Sequence, residues 1–289
     1  MKLGALEAGG TKMVVAIGNE KGEIFEKKSI PTTMPQETIS EIIAFFQDKN
    51  IEALGIGSFG PIDVREDSEN YGRILDTPKL HWRQYDLLKP FQETLKVPVK
   101  LDTDVNGSCL GEMTFGSAKG LKNVIYITIG TGIGVGAAVE GKLLHGMLHP
   151  EAGHILIRKN PQDKYQGKCP YHKTCFEGLA AGPAIEERYG KSPLELINEK
   201  EVWELEADYI AQALMNYILI LSPERIILGG GVMHQEQLFP IIRKKTAEYM
   251  AGYLKTEQLE NMESYIVPPS LNDNQGILGA LKLAAMALS

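Results

Sequence analysis

The chain has few cysteines, no excess of positive charge and no long apolar run. Its three cysteines are an odd number among 289 residues and do not predict a disulfide framework. The formal net charge of −7 argues against nucleic acid as a partner, because phosphate binding needs a basic face. No run of about eighteen apolar residues occurs, and the opening MKLGALEAGG lacks the pattern of a secretory signal. These absences predict a cytoplasmic protein with no contact with the membrane.

The apolar pattern predicts alternating strands and helices. Residues 3–18 and 124–139 each have two apolar strands joined by a glycine turn, and this recurrence predicts two related halves. Helices are predicted from apolar spacing within 37–47, 202–221 and 276–287. Residues 62–80, IDVREDSENYGRILDTPKL, are predicted to form an exposed loop. The mixture predicts an α/β protein.

Three glycine turns follow apolar strands, and glycine lets backbone N–H groups approach an anion closely. They are Gly9-Gly10-Thr11-Lys12, Gly130-Thr131-Gly132 and Gly229-Gly230-Gly231. One such turn alone indicates only a tight bend, but three after apolar strands favour a bound nucleotide. The P-loop pattern is absent, so the chain is not a P-loop protein.

A carboxylate pair follows the strand predicted near residue 100. KLDTDVNGSCLGE places Asp102 and Asp104 where a strand ends and a helix begins. Asp104 could cap the helix, or it could act as a general base that takes a proton from an attacking hydroxyl. The spacing leaves both roles open, and the neighbouring phosphate turns favour the base.

Several motifs occur in the order found in one family. They are EAGGTK, DVNGSCLGE, TIGTGIGVG, EAGH, CFEGLAAGP and ILGGG. Across almost its whole length the chain resembles the ROK-family sugar kinases, and within them the bacterial zinc-containing fructokinase type. The resemblance implies an actin-like, ribonuclease-H-like fold of two α/β lobes that bind ATP and a sugar. It implies an N-terminal lobe at 1–115, joined again by a helix near 276–289, and a C-terminal lobe at 116–275 with the metal cluster and the adenosine site.

The resemblance also implies roles for individual residues. Asp104 matches the catalytic base. The implied phosphate- and nucleotide-binding residues are Gly9, Gly10, Thr11, Lys12, Thr131, Gly132, Pro183, Gly229, Gly230 and Gly231. The implied sugar-binding residues are Thr103, Asp104, Asn106, Glu151, His154 and Glu177.

Two positions depart from the family pattern. Glu7 stands where many members have an aspartate that helps organise Mg²⁺, which accompanies ATP. Thr103 stands where the glucokinases of the family have asparagine, which favours a sugar other than glucose.

Residues 168–175, KCPYHKTC, form the densest cluster of metal-binding side chains. With His154 they give the spacing His-x14-Cys-x2-His-x2-Cys, which predicts a closed tetrahedral Zn²⁺ site of His154, Cys169, His172 and Cys175. The alternative is a pair of reduced thiols beside surface histidines, since a disulfide is disfavoured in the cytoplasm. A zinc ion here would be structural, fixing Glu151 and Glu177. His145 and His149 are expected to be loop residues and not ligands.

The predicted reaction is ATP-dependent phosphorylation of a hexose, with O6 of fructose as the acceptor. Mannose, glucose and N-acetylhexosamines remain alternatives. A sugar-responsive repressor is disfavoured, because the first glycine turn at Gly9 leaves no space for a preceding DNA-binding domain. A non-catalytic sugar sensor is disfavoured because Asp104 and all three turns are present. The resemblance also implies a homodimer.

Overall fold

A computed structural model describes all 289 residues, which form two compact units. Unit 1 comprises Met1–Gly120, Leu143–Pro150 and Ser270–Ser289, and unit 2 comprises Leu121–Lys142 and Glu151–Pro269. The strands are β1 (Leu3–Ala8), β2 (Lys12–Gly18), β3 (Ile24–Pro31), β4 (Ala53–Ser58), β5 (Val99–Thr103), β6 (Val124–Ile129), β7 (Ile133–Val139), β8 (Lys142–Leu143), β9 (Arg225–Gly229) and β10 (Ile266–Val267). The helices are α1 (Pro35–Phe46), α2 (Leu88–Leu95), α3 (Asp104–Phe115), α4 (Phe176–Ala180), α5 (Gly182–Tyr189), α6 (Lys200–Leu221), α7 (Leu238–Met250), α8 (Glu257–Glu260), α9 (Met262–Tyr265) and α10 (Gln275–Met286).

The first sheet has the strand order β3-β2-β1-β4-β5. β1 pairs antiparallel with β2 and parallel with β4, and β5 continues the parallel part. The apolar strands β1 and β4 are almost wholly buried, as expected for central strands covered on both faces. Helices α3 and α10 pack closely because glycines face each other: a Cβ on Gly279 would overlap the carbonyl of Gly107.

The second sheet repeats this arrangement with the order β10-β9-β6-β7-β8. β6 pairs antiparallel with β7 and parallel with β9, as β1 does with β2 and β4. In both sheets the hairpin opens the unit and a crossover then returns the chain to the other side of the first strand. The two related halves predicted from the recurrent strand–turn–strand pattern are therefore present.

The predicted helices are also present. α1, α6 and α10 cover the three stretches with helical apolar spacing. α6 ends where Ser222 adopts a left-handed conformation with φ of 47°, immediately before Pro223. None of the helices combines the length and the apolar character needed to cross a lipid bilayer.

The prediction of an exposed loop at residues 62–80 is wrong in part. Ile62 pairs with Ile74 in an antiparallel bridge, and both side chains are fully buried. Asp63 and Thr77 are buried as well. Asp63 holds the segment together by accepting hydrogen bonds from Arg65 Nη2 and Ser68 Oγ, each at 2.7 Å. The polar residues of the segment suggest a solvated loop, but Arg65 and Ser68 instead bind the buried Asp63.

Candidate functional site

Asp104 lies at the junction of β5 and α3, as the sequence predicts. The helix is capped by Thr103, whose Oγ1 accepts a hydrogen bond from Asn106 N at 3.1 Å. Asp104 is therefore the first residue of the helix and not its cap, and its Oδ1 accepts from Val105 N at 2.9 Å. A carboxylate in the first turn lies where the helix dipole stabilises negative charge. The position suits a side chain that must remain an anion until it takes a proton.

Asp102, two residues earlier, anchors the surroundings of Asp104. Its Oδ1 accepts from Thr103 N and Asn106 Nδ2, each at 2.8 Å, and its Oδ2 lies 2.8 Å from His145 Nε2. The hydrogen bond with buried Asp102 raises the pKa of His145 above its ordinary value. His145 is thus more than a loop residue, because it helps to orient Asn106 through a shared carboxylate.

His149 has a second anchoring role in the same segment of unit 1. Its Nε2 accepts a hydrogen bond from Ile62 N at 3.2 Å, and burial lowers its pKa. A lowered pKa favours the neutral imidazole that can accept this bond. Neither His145 nor His149 belongs to the group of metal-binding side chains.

The first glycine turn, Gly9 to Lys12, connects β1 to β2 in unit 1. Thr32 holds it, since its Oγ1 donates to Gly9 O at 2.8 Å and its N–H donates to Thr11 O at 3.0 Å. Glu7 precedes the turn and its carboxylate packs against Gly276, the second residue of α10. Burial raises the pKa of Glu7, and the positive charges of Lys12 and Lys27 oppose that rise.

The second and third glycine turns lie together in unit 2. Gly130 O accepts from Gly182 N at 2.8 Å, which places Pro183 of α5 beside the Thr131–Gly132 turn. A Cβ on Gly130 would lie 3.7 Å from Gly231 N. Gly230 has φ of 89°, a conformation that favours glycine, and it lets β9 bend into a short 3-10 helix.

Glu177 is next to the second glycine turn. Its Oε2 accepts from Ile133 N at 3.0 Å, and its Oε1 lies 3.9 Å from His154 Nε2. The pKa of Glu151 is raised, mainly by burial and secondly by repulsion from the negative charge of nearby Glu177. Unit 2 therefore brings Glu151, His154 and Glu177 into one cluster at the Thr131–Gly132 turn.

The four predicted metal ligands come together in unit 2. The donor atoms of His154, Cys169, His172 and Cys175 all lie within 4.8 Å of one another. His154 Nδ1 is 3.7 Å from Cys169 Sγ and 3.5 Å from Cys175 Sγ, and His172 Nδ1 is 3.7 Å from Cys169 Sγ. Ligands of tetrahedral zinc, with bonds of about 2.0–2.3 Å, are spaced by roughly 3.5 Å. The donor set and its spacing therefore fit a zinc-sized ion.

The backbone around this cluster suits thiolate ligands. His172 N and Gly178 N each donate to a cysteine sulfur at 3.4 Å. Burial raises the pKa of Cys175 to about 11, so a bound cation would be needed to keep the thiolate at neutral pH. Cys175 caps α4, whose second residue is Glu177, and His154 follows Glu151 by three residues. A metal at this cluster would thus restrain both acidic residues.

The predicted site residues fall into two sets. Unit 1 holds Glu7, the first glycine turn, Thr103, Asp104 and Asn106, and unit 2 holds all the others. Sequence reasoning missed His145 and also Lys79, whose ammonium lies beside Gly10. No local pattern around this lysine, in TPKLHWR, predicts a functional role, because it meets the first glycine turn only when its segment folds back onto that turn.

Comparison with known proteins agrees with these observations. The ROK family profile matches residues 3–287. A Bacillus subtilis protein with the provisional name fructokinase is 55% identical over 99% of this chain and 96% of its own length. A fructokinase of Pediococcus pentosaceus is 45% identical over 100% of this chain and 99% of its own length.

The fold is shared with more distant solved structures. The ROK hexokinase of Thermus thermophilus superimposes with a TM-score of 0.81 at 24% identity, over 100% of this chain and 99% of its own. Because the profile and the relatives span nearly the whole sequence, the chain belongs to the ROK family, and it has the actin-like, ribonuclease-H-like fold of that family's sugar kinases.

Proposed function

We propose that the chain is an ATP-dependent hexose kinase that phosphorylates O6 of fructose. The observation that carries the proposal is the near-complete coverage of relatives named fructokinase, including those of Pediococcus pentosaceus and Bacillus subtilis. Identity of 45% or more over almost the whole chain supports a shared reaction, whereas the structural neighbours below 25% identity support the fold alone.

In the proposed mechanism Asp104 is the general base. Its carboxylate takes the proton of the attacking hydroxyl while the phosphorus–oxygen bond to ADP breaks and the bond to the sugar forms. The position of Asp104 in the first turn of α3 supports this role, and so does its fixed neighbour Asn106. Thr103 and Asn106 would contact the sugar from the same helix start.

The nucleotide would be held by the glycine turns. Backbone N–H groups at Gly9 to Lys12 and at Thr131–Gly132 would bind phosphate oxygens, and Gly229 to Gly231 with Pro183 would line the adenosine. Mg²⁺ would arrive with ATP, and Glu7 would help to organise it through water. The contact of Gly130 with Gly182 supports grouping Pro183 with the second turn.

Glu151, His154 and Glu177 are proposed to bind sugar hydroxyls. His154 has Nδ1 toward the cysteines and Nε2 toward Glu177, which supports a double role. With Nδ1 on a metal, Nε2 would carry the proton and donate a hydrogen bond. Zn²⁺ on His154, Cys169, His172 and Cys175 would supply rigidity at this position and no activated water.

Location and assembly are part of the proposal. ATP as co-substrate and thiolates as ligands both suit a reducing cytoplasm. The family resemblance favours a homodimer with ATP and a hexose as its small-molecule partners. Light scattering on the purified chain measures the assembly directly.

The test combines a sugar panel with one substitution. ADP release is measured with fructose, mannose, glucose and N-acetylglucosamine, and fructose should give the highest kcat/KM. Asp104→Asn should lower kcat by about 10²–10⁴-fold, because it removes the base but keeps the shape. Its affinities for sugar and nucleotide should be preserved in calorimetry.

Asp48→Asn, at an exposed position on unit 1, is the matched control. Near-normal kcat in Asp104→Asn would contradict the mechanism. A wild-type enzyme that prefers another sugar would contradict the choice of fructose.

A further inference from the structure

Lys79 lies against the first glycine turn. It precedes the short 3-10 helix Leu80–Trp82, between β4 and α2 of unit 1. A Cβ on Gly10 would overlap Cε of Lys79 and would lie 2.9 Å from its Nζ. Glycine at position 10 therefore leaves room for the lysine, and the ammonium comes to rest beside the turn.

The backbone that carries Lys79 is fixed. Trp82 is buried, and its Nε1 donates to Thr33 O at 3.0 Å. Arg83 Nε donates to Thr77 O at 2.7 Å, and Lys79 N approaches Thr77 Oγ1 at 3.4 Å. Because both ends of the TPKLHWR segment are held, the lysine is a built part of the turn's surroundings and not a side chain that happens to fold over it.

The turn itself presents hydrogen-bond donors. Thr32 engages the carbonyl oxygens of Gly9 and Thr11. The backbone N–H groups of Gly9, Gly10 and Thr11 have no acceptor in the protein. Neighbouring N–H groups of this kind form a concave site for an anion.

The ammonium of Lys79 is available to such an anion. No carboxylate lies within 4.0 Å of its Nζ, and the side chain is half-buried. The positive charge of Lys12, the other lysine at the turn, acts on the half-buried Glu7. A partly desolvated and unpaired ammonium beside three free N–H groups has the chemistry of a phosphate site.

We propose that Lys79 is a catalytic residue that binds the phosphoryl group transferred from ATP. This inference rests on the proposed kinase function. During transfer the bond between phosphorus and the ADP oxygen breaks, the bond to the sugar oxygen forms, and Asp104 takes the hydroxyl proton. Lys79 stays protonated throughout and donates hydrogen bonds to the non-bridging oxygens, on which negative charge is spread.

The distinguishing measurement compares two nucleotides. Calorimetry with Mg²⁺ and either ADP or AMPPNP is run on the wild type and on Lys79→Met, which keeps length but removes charge. The affinity for AMPPNP should fall by about 10- to 100-fold, the factor expected for a hydrogen bond to a charged group. The affinity for ADP, which lacks the terminal phosphate, should stay within about threefold, and kcat should fall as AMPPNP affinity does.

Lys89→Met, on the exposed face of α2, is the control and should change nothing. Lys79→Gln is a second neutral variant that gives the same test if the methionine variant does not fold. Equal loss of ADP and AMPPNP affinity, or loss of neither, would overturn the proposal. Loss of sugar affinity alone would also overturn the proposal, since the lysine would then bind the sugar and not the phosphoryl group.

The outcome also separates this proposal from the kinase function on which it rests. If the wild type phosphorylates no sugar of the panel but binds AMPPNP through Lys79, the proposed reaction is wrong and the phosphate site stands. If the wild type phosphorylates fructose and Lys79→Met retains both kcat and AMPPNP affinity, the reaction stands and the role of Lys79 falls.

Discussion

Replacing Glu112 by glutamine tests how firmly the far end of the Asp104 helix is anchored. Glu112 is fully buried near the end of α3. Its Oε1 accepts from Ser270 N at 2.7 Å. Its Oε2 accepts from Ser270 Oγ at 2.7 Å and from Ser117 N and Oγ at 2.9 and 3.1 Å. One carboxylate thus binds four donors from two separate segments of unit 1.

The expected loss of stability follows from these bonds. The glutamine amide can place its nitrogen at either carboxylate oxygen position, and it loses fewer bonds when the nitrogen replaces Oε1. Ser270 N–H is then left without an acceptor, which costs about 1–3 kcal/mol. The other three bonds lose their charge, and charged hydrogen bonds are roughly twice as strong as neutral ones. A total of about 3 kcal/mol should lower Tm by roughly 6–12 °C.

Intrinsic fluorescence can report unit 1 alone. The two tryptophans are Trp82 in unit 1 and Trp203 in unit 2, so a Trp203→Phe background leaves only the unit 1 probe. Thermal unfolding of Glu112→Gln is compared there with Glu93→Gln, also in unit 1, whose exposed carboxylate lies 3.9 Å from Lys89 Nζ. The control should cost less than about 0.5 kcal/mol. If Glu112→Gln has the same Tm as the control variant, the reasoning is refuted.

Two further predictions concern the metal cluster and a histidine. One zinc per chain should be found by elemental analysis. Chelation should lower Tm by roughly 10 °C, because a ligand present at about 1,000 times its Kd stabilises the fold by about 4 kcal/mol. Metal-free protein with unchanged Tm would contradict this prediction. His145 has a raised pKa, so its charged contact with Asp102 stabilises the fold fully below pH 6.5, its ordinary value, and is lost as pH rises through the raised pKa. The Tm of His145→Gln should therefore lie below that of wild type at pH 5.5, with the gap closing as the pH rises through the raised pKa, and a gap independent of pH would contradict the assignment.

Part of the candidate site could be found from the sequence because its signals are local. The x2 spacing of Cys169, His172 and Cys175 brings three donors together within one short loop, and the structure adds His154 as expected. Asp104 could be placed at a strand–helix junction from the pattern of KLDTDVNG alone. Whether it capped the helix could not be decided, because Thr103 is an equally good cap and a shift of one residue leaves no trace in the pattern.

The sequence by itself determined the two strand–turn–strand units, the helices α1, α6 and α10, and the positions of the glycine turns. These features depend on apolar period and on turn residues, which act over a few neighbouring positions. The tertiary structure alone decided that residues 62–80 are partly buried, that His145 bonds to Asp102 and that Lys79 lies beside Gly10. The last two contacts join residues that are far apart in the chain, and they form only where folding brings the two segments together. The periodicity and spacing of the residues around His145 and Lys79 do not indicate which distant segment will pack against them.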